Sequence, residues 1–303
     1  MKTHYYLGIL AVVFSNVLWG LDFIAIDYMT EYMPTSAVTF FRLLFSTAVL
    51  LVVLLIKERK FHIEKADWPR VFISGVMGVT LYTWFECIGI QRTSGSLASL
   101  ILATVPIFGL LADRILYKNS ITPVKIIGII VSIAGVAMIV GGSGGAEFSG
   151  SITGVLFMLT AAISWTLYIV LVKPLNKKYS ILTLTTALLI SGTVAAIPLF
   201  LLNKPAGDMV YPPTLWIILV VSAVASFALG GFTYIFGVSK LSVTKVVIFE
   251  NILPIVAIVA SYLLFKEMLS TIQLVGGAIV LIACAAVSLS SDSKARDKKV
   301  QIK

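Results

Sequence analysis

The residues that decide the fold read IGIQRTSGSLASLILATVPIFGLL at positions 88–111, because FGVSKLSVTKVVIFENILPIVAIV at positions 236–259 repeats their pattern. An offset of 148 residues, without a gap, pairs Gly89 with Gly237, Ser94 with Ser242, Pro106 with Pro254, Lys118 with Lys266 and Gly128 with Gly276. At an offset of 146, Trp19 falls on Trp165. Because these identities share nearly the same offset, the chain consists of two similar halves. Internal duplication of this kind is common among transporters.

The length of the apolar runs predicts membrane-spanning helices. The 303 residues are 59% hydrophobic and 12% charged, with a mean hydropathy of +1.02, whereas an average soluble domain is about a quarter charged. A helix needs about 20 apolar residues to cross a bilayer, and strands of membrane barrels are only about 10 residues long. We expect an all-α polytopic membrane protein with ten transmembrane helices, near residues 6–26, 35–56, 71–91, 95–117, 124–141, 151–172, 181–202, 213–238, 243–265 and 271–290.

Five helices in each half have a topological consequence. Because five is odd, the second half enters the bilayer from the opposite side to the first. This is an inverted repeat, whose halves can exchange conformations and so open a site to either side of the membrane. We expect a first five-helix repeat over residues 1–142, a second over residues 143–290, and a basic cytoplasmic tail over residues 291–303.

The net charge of +9 is explained by topology. If the N-terminus is cytoplasmic, 19 of the 23 Lys and Arg residues fall in cytoplasmic segments and only three in outer loops. This asymmetry follows the positive-inside rule. It predicts a multi-pass protein of the cell membrane with both termini in the cytoplasm, and it removes the reason to expect nucleic acid as a partner.

Three charged residues fall inside predicted helices at a similar depth. Asp22, Arg42 and Glu86 lie about five to seven residues from the outer ends of the first three helices, roughly 7 to 11 Å below the surface. A charge near mid-bilayer costs on the order of 3 kcal/mol, so such residues usually face a cavity or a partner. We expect Arg42 to bridge the two carboxylates, as a static cluster or as an outer gate that breaks and re-forms.

Glu250 is a separate candidate because a proline follows it by four residues. Pro254 cannot donate the hydrogen bond that the Glu250 carbonyl would otherwise accept, and Pro106 frees the Leu102 carbonyl in the same way. Such breaks are tolerated only where protein or a watery cavity satisfies the backbone. We expect Glu250 to bind a substrate amine or a coupling proton, the alternative being a protonated glutamate hydrogen-bonded between helices. Pro106 and Pro254 are predicted hinges.

Aromatic residues complete the predicted binding site. Trp165 and Tyr168 are three residues apart, and Tyr82 and Glu86 are four apart, so each pair shares a helix face. Aromatic rings that line a cavity bind apolar groups and organic cations, although Trp and Tyr near helix ends can instead form an interfacial belt. The predicted substrate-binding set is Trp19, Tyr82, Glu86, Trp165, Tyr168, Tyr234 and Glu250.

Enzymatic chemistry has little support in the sequence. The two histidines, His4 and His62, fall in the N-terminus and a loop. There is no HExxH motif, nucleophile elbow, acidic metal cluster or phosphate-binding loop. Cys87 and Cys284 fall in apolar helices and are predicted to be buried without a disulfide or a metal. We therefore expect no enzyme activity, no cofactor and no direct ATP drive.

The chain resembles the EamA family of the drug/metabolite transporter superfamily over nearly its full length. The motifs are VLWGLDFIAID at 17–27, FFRLLFSTAVLL at 40–51, the stretch at 88–111, and residues 237–285. The family usually has a glutamate before the last helix of each half, as at Glu267. The first half departs from this pattern, because the aligned residue is Asn119. The resemblance implies ten helices around a central cavity and transport of small organic solutes, often export of amino acids or related metabolites.

These observations predict a secondary transporter that works by alternating access and exports an amino acid or a related amphipathic solute. A carrier of quaternary ammonium or other organic cations is the close alternative, and a lipid flippase or a scaffold is a further one. The expected partners are the small solute, membrane lipid and coupling protons. We expect a monomer or a homodimer, since glycine-rich helix faces can pack within one chain or between two.

Overall fold

The computed structural model describes residues 2–117, 123–142, 147–203, 211–241 and 249–300. Within these ranges the chain is helical and contains no strand. Seven helical segments are long and apolar enough to cross a membrane, and three shorter apolar helices accompany them over Gly95–Gly109, Ile252–Phe265 and Thr271–Ala286. The prediction of an all-α membrane protein is confirmed.

In chain order the helices are α1 (Lys2–Tyr32), α2 (Thr35–Lys57), α3 (Trp68–Gly75), α4 (Tyr82–Arg92), α5 (Gly95–Leu102), α6 (Val105–Tyr117), α7 (Pro123–Gly141), α8 (Glu147–Val172), α9 (Ile181–Leu202), α10 (Pro213–Ala223), α11 (Gly231–Lys240), α12 (Ile252–Phe265) and α13 (Thr271–Val300). Serine side chains cap the N-termini of two of these helices. The Ser94 hydroxyl accepts from Leu97 N at the start of α5, and the Ser180 hydroxyl accepts from Thr183 N at the start of α9, which satisfies backbone donors that the helix leaves unpaired.

The helix bounds correct the predicted spans in three places. The span predicted over 95–117 is interrupted by a turn at Ala103 and Thr104, so Pro106 lies in the first turn of α6, where a missing N–H is tolerated. The span predicted over 243–265 has a turn at Asn251 before α12, and residues 243–248 lie outside the described ranges. The last helix reaches Val300, because the polar residues after 290 include no Gly or Pro to end it.

Two of the membrane-length segments contain π-helical turns. Val76–Leu81 joins α3 to α4, and Val224–Gly230 joins α10 to α11. The two π segments begin 148 residues apart, which is the offset of the sequence repeat, and the turns at Ala103 and Asn251 have the same separation. A π turn inserts an extra residue into a helix and is frequent at functional sites.

The two halves of the sequence pack against each other through matched helices. Helix α1 contacts α11 and α12, α8 contacts α4, α2 contacts α9, and α7 contacts α13. Thr47 of α2 and Thr193 of α9, which are 146 residues apart, share a hydrogen bond of 2.7 Å between their hydroxyl oxygens. Where α7 crosses α13, a Cβ on Gly135 would lie 2.8 Å from the Gly276 carbonyl oxygen, so glycine permits this approach.

A polar network joins the loop between α2 and α3 to the loop between α8 and α9. Lys178 Nζ donates to Glu64 Oε2 at 2.5 Å and to Asp67 Oδ2 at 2.7 Å, and these hydrogen bonds raise the pKa of Lys178. The Ser180 hydroxyl donates to Glu58 at 2.8 Å. Both loops therefore lie at the same end of the bundle. Cys87 and Cys284 are buried within the bundle, as predicted.

Candidate functional site

One cluster of candidate residues links α1 to the C-terminal half of the chain. The rings of Trp19 and Tyr234 have their centroids 4.9 Å apart. The Tyr234 hydroxyl in turn donates a hydrogen bond to Glu250 Oε1. These three residues, here called the Trp19 triplet, bring together a tryptophan of the first half with a tyrosine and a carboxylate of the second.

A second cluster has the same composition with the halves exchanged. Trp165 of α8 lies 4.9 Å from Tyr82 of α4, centroid to centroid, and the Tyr82 hydroxyl donates to Glu86 Oε1 at 2.6 Å. We call Trp165, Tyr82 and Glu86 the Trp165 triplet. Tyr168 packs against the same tryptophan, with centroids 4.9 Å apart. The predicted shared faces of Trp165 with Tyr168, and of Tyr82 with Glu86, are confirmed.

Backbone carbonyls of the two π segments accept hydrogen bonds from side chains of α1 and α8. Trp19 Nε1 donates to the Ser226 carbonyl oxygen at 3.1 Å, and the Ser164 hydroxyl donates to the Met77 carbonyl oxygen at 2.7 Å. Within the π segments these carbonyls also accept backbone hydrogen bonds from five residues on, Met77 O from Tyr82 N and Ser226 O from Gly231 N. A carbonyl oxygen has two lone pairs, so each can accept a second hydrogen bond from a neighbouring helix. Each π segment thus anchors a helix of the opposite half beside its triplet.

Glycines make room for the aromatic rings at these points. A Cβ on Gly78 would lie 2.2 Å from the Tyr168 ring, and a Cβ on Gly230 would lie 2.9 Å from Trp19 Nε1. Neither contact is possible for a larger residue without a shift. The two glycines therefore set how closely the π segments approach the aromatic side chains.

The buried ion pair forms between α1 and α2. Arg42 Nη2 donates to Asp22 Oδ2, the Ser222 hydroxyl donates to Asp22 Oδ1, and the side chains of Arg42 and Asp22 are 0% and 9% exposed. Glu86 lies within electrostatic range of Arg42 but hydrogen-bonds to Tyr82 instead. The predicted bridge by Arg42 is therefore formed on one side only, and Tyr82, one turn away on the same helix, is the hydrogen-bond partner of Glu86 Oε1.

Arg42 is connected to residues near both triplets through Asp22 and Glu86. Asp22 is three residues from Trp19 on α1, and Glu86 belongs to the Trp165 triplet. Phe227, in the π segment that also receives Trp19, covers the guanidinium with its ring centroid 5.3 Å from Cζ. Among the described residues, Arg42 Nε and Nη1 have no hydrogen-bond partner.

Two further carboxylates have structural partners at one end of the bundle. Asp27 Oδ2 accepts from Gly95 N at 2.8 Å, at the first residue of α5. Glu267 accepts from the Ser261 hydroxyl and, at 3.2 Å, from the Ser96 hydroxyl. These hydrogen bonds join α1, α5 and α12, and explain these polar groups without a ligand.

The sequence prediction missed several residues of this site. Ser222, Ser226 and Phe227 lie on or beside the π segment, and nothing in the apolar pattern singles them out. Gly78 and Gly230 carried a weak signal, since glycine inside a helix costs about 1 kcal/mol relative to alanine and often has a packing reason. Pro106 lies three residues after Ala103, and Pro254 three residues after Asn251; their role as hinges stays a prediction.

Comparison with known proteins identifies the family. The EamA-like transporter family matches residues 6–141 and residues 152–289. An uncharacterized transporter of Archaeoglobus fulgidus is 26% identical over 90% of this chain and 95% of its own length. The uncharacterized transporter YdfC of Bacillus subtilis is 29% identical over 91% of this chain and 86% of its own length. A probable terminal-alkyne amino-acid exporter of Streptantibioticus cattleyicolor is 26% identical over 89% of both chains.

A solved crystal structure has the same fold, with a TM-score of 0.65 and 16% sequence identity over 97% of this chain and 99% of the other. The family matches cover most of the chain, and the relatives are transporters rather than enzymes. The chain therefore belongs to the EamA-like transporter family.

Proposed function

We propose that this protein is a secondary transporter that exports an amino acid or a related amphipathic solute by alternating access. The observation that carries the proposal is the pair of triplets, each of which joins a tryptophan from one half to a tyrosine and a carboxylate from the other. A solute held between such groups would contact both halves. Relative movement of the halves would then change its surroundings.

The proposed architecture is ten transmembrane helices in two inverted repeats, residues 1–142 and 143–290. It is supported by seven membrane-length segments and three shorter apolar helices. Two π segments and two helix breaks that recur at the offset of the sequence repeat also support it. The breaks before Pro106 and Pro254 are the proposed hinges, since a segment without continuous helical hydrogen bonds bends most easily there.

The proposed binding residues have distinct roles. Trp19, Trp165 and Tyr168 offer aromatic faces to the apolar part of the solute. Glu86 and Glu250, released from Tyr82 and Tyr234, bind its amine or a coupling proton. Asp22 and Arg42 form the proposed gate, because α1 and α2 must separate before their ion pair can break.

The location follows from the apolar surface and the charge bias. Large apolar side chains on the described surface, such as Ile115 at 75% exposed and Ile282 at 70%, would contact membrane lipid. The distribution of Lys and Arg supports the cell membrane with both termini in the cytoplasm. Export of amino acids is supported by the name of one relative, a probable amino-acid exporter.

The test is solute counterflow in proteoliposomes that contain the purified protein. We expect unlabelled amino acids inside the vesicles to drive uptake of radiolabelled L-phenylalanine or L-leucine, and Glu250→Gln to reduce this uptake at least about tenfold. Glu31→Gln, which changes an exposed carboxylate of α1, is the matched control and should leave uptake unchanged. Absence of counterflow for every amino acid tried would contradict amino-acid transport.

Carriage of an organic cation is a second candidate, favoured by the carboxylate in each triplet beside aromatic rings. Labelled tetraethylammonium tests it in the same vesicles. If the solute is a cation, tetraethylammonium should show counterflow that Glu86→Gln and Glu250→Gln both abolish, whereas a neutral aromatic solute would be weakened only. Counterflow of amino acids without any movement of tetraethylammonium would exclude this candidate.

A further inference from the structure

We infer that Arg42 binds the carboxylate of the transported solute, which narrows the solute class to molecules that carry a carboxylate beside an apolar group. This inference rests on the proposed transport function and adds a specificity-determining residue to it. The argument starts from the burial of Arg42. Its side chain is 0% exposed, and two of its three guanidinium nitrogens have no hydrogen-bond partner among the described residues.

An unpaired buried guanidinium N–H is unfavourable, because it has lost water without gaining an acceptor. Arginine keeps its proton inside proteins and therefore cannot remove the problem by becoming neutral. Nε and Nη1 of Arg42 thus favour any acceptor that enters the site. A carboxylate suits them best, since its oxygens match the planar array of guanidinium donors.

The neighbouring carboxylates do not fill this role. Both oxygens of Asp22 are already engaged, one with Arg42 Nη2 and the other with the Ser222 hydroxyl. Glu86 is within electrostatic range, but its Oε1 accepts from Tyr82 and the described residues show no hydrogen bond between Glu86 and Arg42. Asp22 therefore holds Arg42 in place, and no described residue supplies an acceptor for Nε and Nη1.

The surroundings of Arg42 suit an amphipathic carboxylate. Phe227 covers the guanidinium, and the π segment that carries Phe227 also holds Trp19 through the Ser226 carbonyl. Glu86, which is within electrostatic range of Arg42, accepts from Tyr82, and Tyr82 packs against Trp165. A solute with its carboxylate on Arg42 would direct its apolar part towards the aromatic rings and its amine towards a triplet carboxylate.

The test compares molecules that differ only in the carboxylate. L-Phenylalanine and phenethylamine share the ring and the amine, as L-leucine and isoamylamine share the alkyl chain and the amine. In the wild-type protein in detergent, calorimetric binding should be at least about tenfold tighter for the amino acid of each pair. Arg42→Lys keeps the charge but loses the planar donors, so it should lower this preference to less than about threefold. Arg92→Lys, at an exposed arginine, should keep the wild-type preference.

The outcomes separate this inference from the proposed function. If the wild-type protein binds both members of a pair equally, or the amine more tightly, Arg42 is not a carboxylate site although solute binding stands. If Arg42→Lys folds and keeps the full preference, the inference is equally wrong. The wild-type comparison decides even if the variant does not fold. If neither member of any pair binds, the proposed amino-acid transport fails, and the inference fails with it.

Discussion

Replacing Asp22 by asparagine isolates the contribution of the buried ion pair. Asparagine keeps the shape of the side chain and an oxygen that can accept from Ser222, so the change removes the negative charge that faces Arg42. The Arg42 side chain is fully buried, and within the part of the chain that the structure describes it has a hydrogen bond only through Nη2. The variant therefore removes the hydrogen-bonded counter-ion of a buried cation, and removal of one partner of such a pair costs about 3 to 5 kcal/mol.

This loss converts to a measurable shift in melting temperature. For domains of 150 to 250 residues, 1 kcal/mol shifts Tm by about 2 to 4 °C. We take the low end for this longer chain and expect Asp22→Asn to lower Tm by at least about 6 °C. The measurement is thermal unfolding of the purified protein in detergent, followed by the fluorescence of its five tryptophans.

A double variant tests the electrostatic cause. Asp22→Asn with Arg42→Gln removes both charges, and replacement of a whole buried pair by neutral groups is often close to neutral in stability. The double variant should therefore melt above Asp22→Asn alone. A Tm for Asp22→Asn within about 2 °C of the wild type would refute the reasoning. A double variant whose loss in Tm equals the sum of the losses of Asp22→Asn and Arg42→Gln, each measured alone, would also refute it.

Three further predictions concern packing and surface charge. Gly78→Ala puts a Cβ 2.2 Å from the Tyr168 ring and should destabilise the protein by about 1 to 3 kcal/mol in thermal unfolding; Gly231→Ala, whose Cβ would meet nothing within 4 Å, is the helical control and should not lower Tm. Gly135→Ala puts a Cβ 2.8 Å from a backbone carbonyl at the α7–α13 crossing, so it should lower Tm clearly, and an unchanged Tm would show that these helices can separate at little cost. Lys178→Gln removes two exposed ion pairs and should leave Tm close to that of the wild type, whereas a large drop would mean that the loop network stabilises the fold.

Contacts within one helix could be predicted from the sequence because the helical period fixes them. Tyr82 and Glu86 are one turn apart, so their hydrogen bond needed only the assignment of a helix. Trp165 and Tyr168 follow the same rule. Burial of Cys87 likewise followed from its apolar neighbours.

Contacts between helices could not be predicted in this way. The similar depths of the three residues allowed Arg42 to pair with either Asp22 or Glu86. Only the packed structure shows that Arg42 donates to Asp22, whereas Glu86 accepts from Tyr82. The partner of Glu250 was also open, because Tyr234 lies on another helix. Rotation and spacing of whole helices decide such pairs, and neither is encoded in the period of a single segment.

The sequence by itself determined the all-helical membrane class and the family, because run length, hydropathy and repeated motifs are properties of consecutive residues. The tertiary structure alone decided the π turns, the two triplets and the two Arg42 nitrogens that have no partner among the described residues. These depend on how close two helices can approach, which small residues such as Gly78 and Gly230 set through the volume they leave for a ring on the opposite helix.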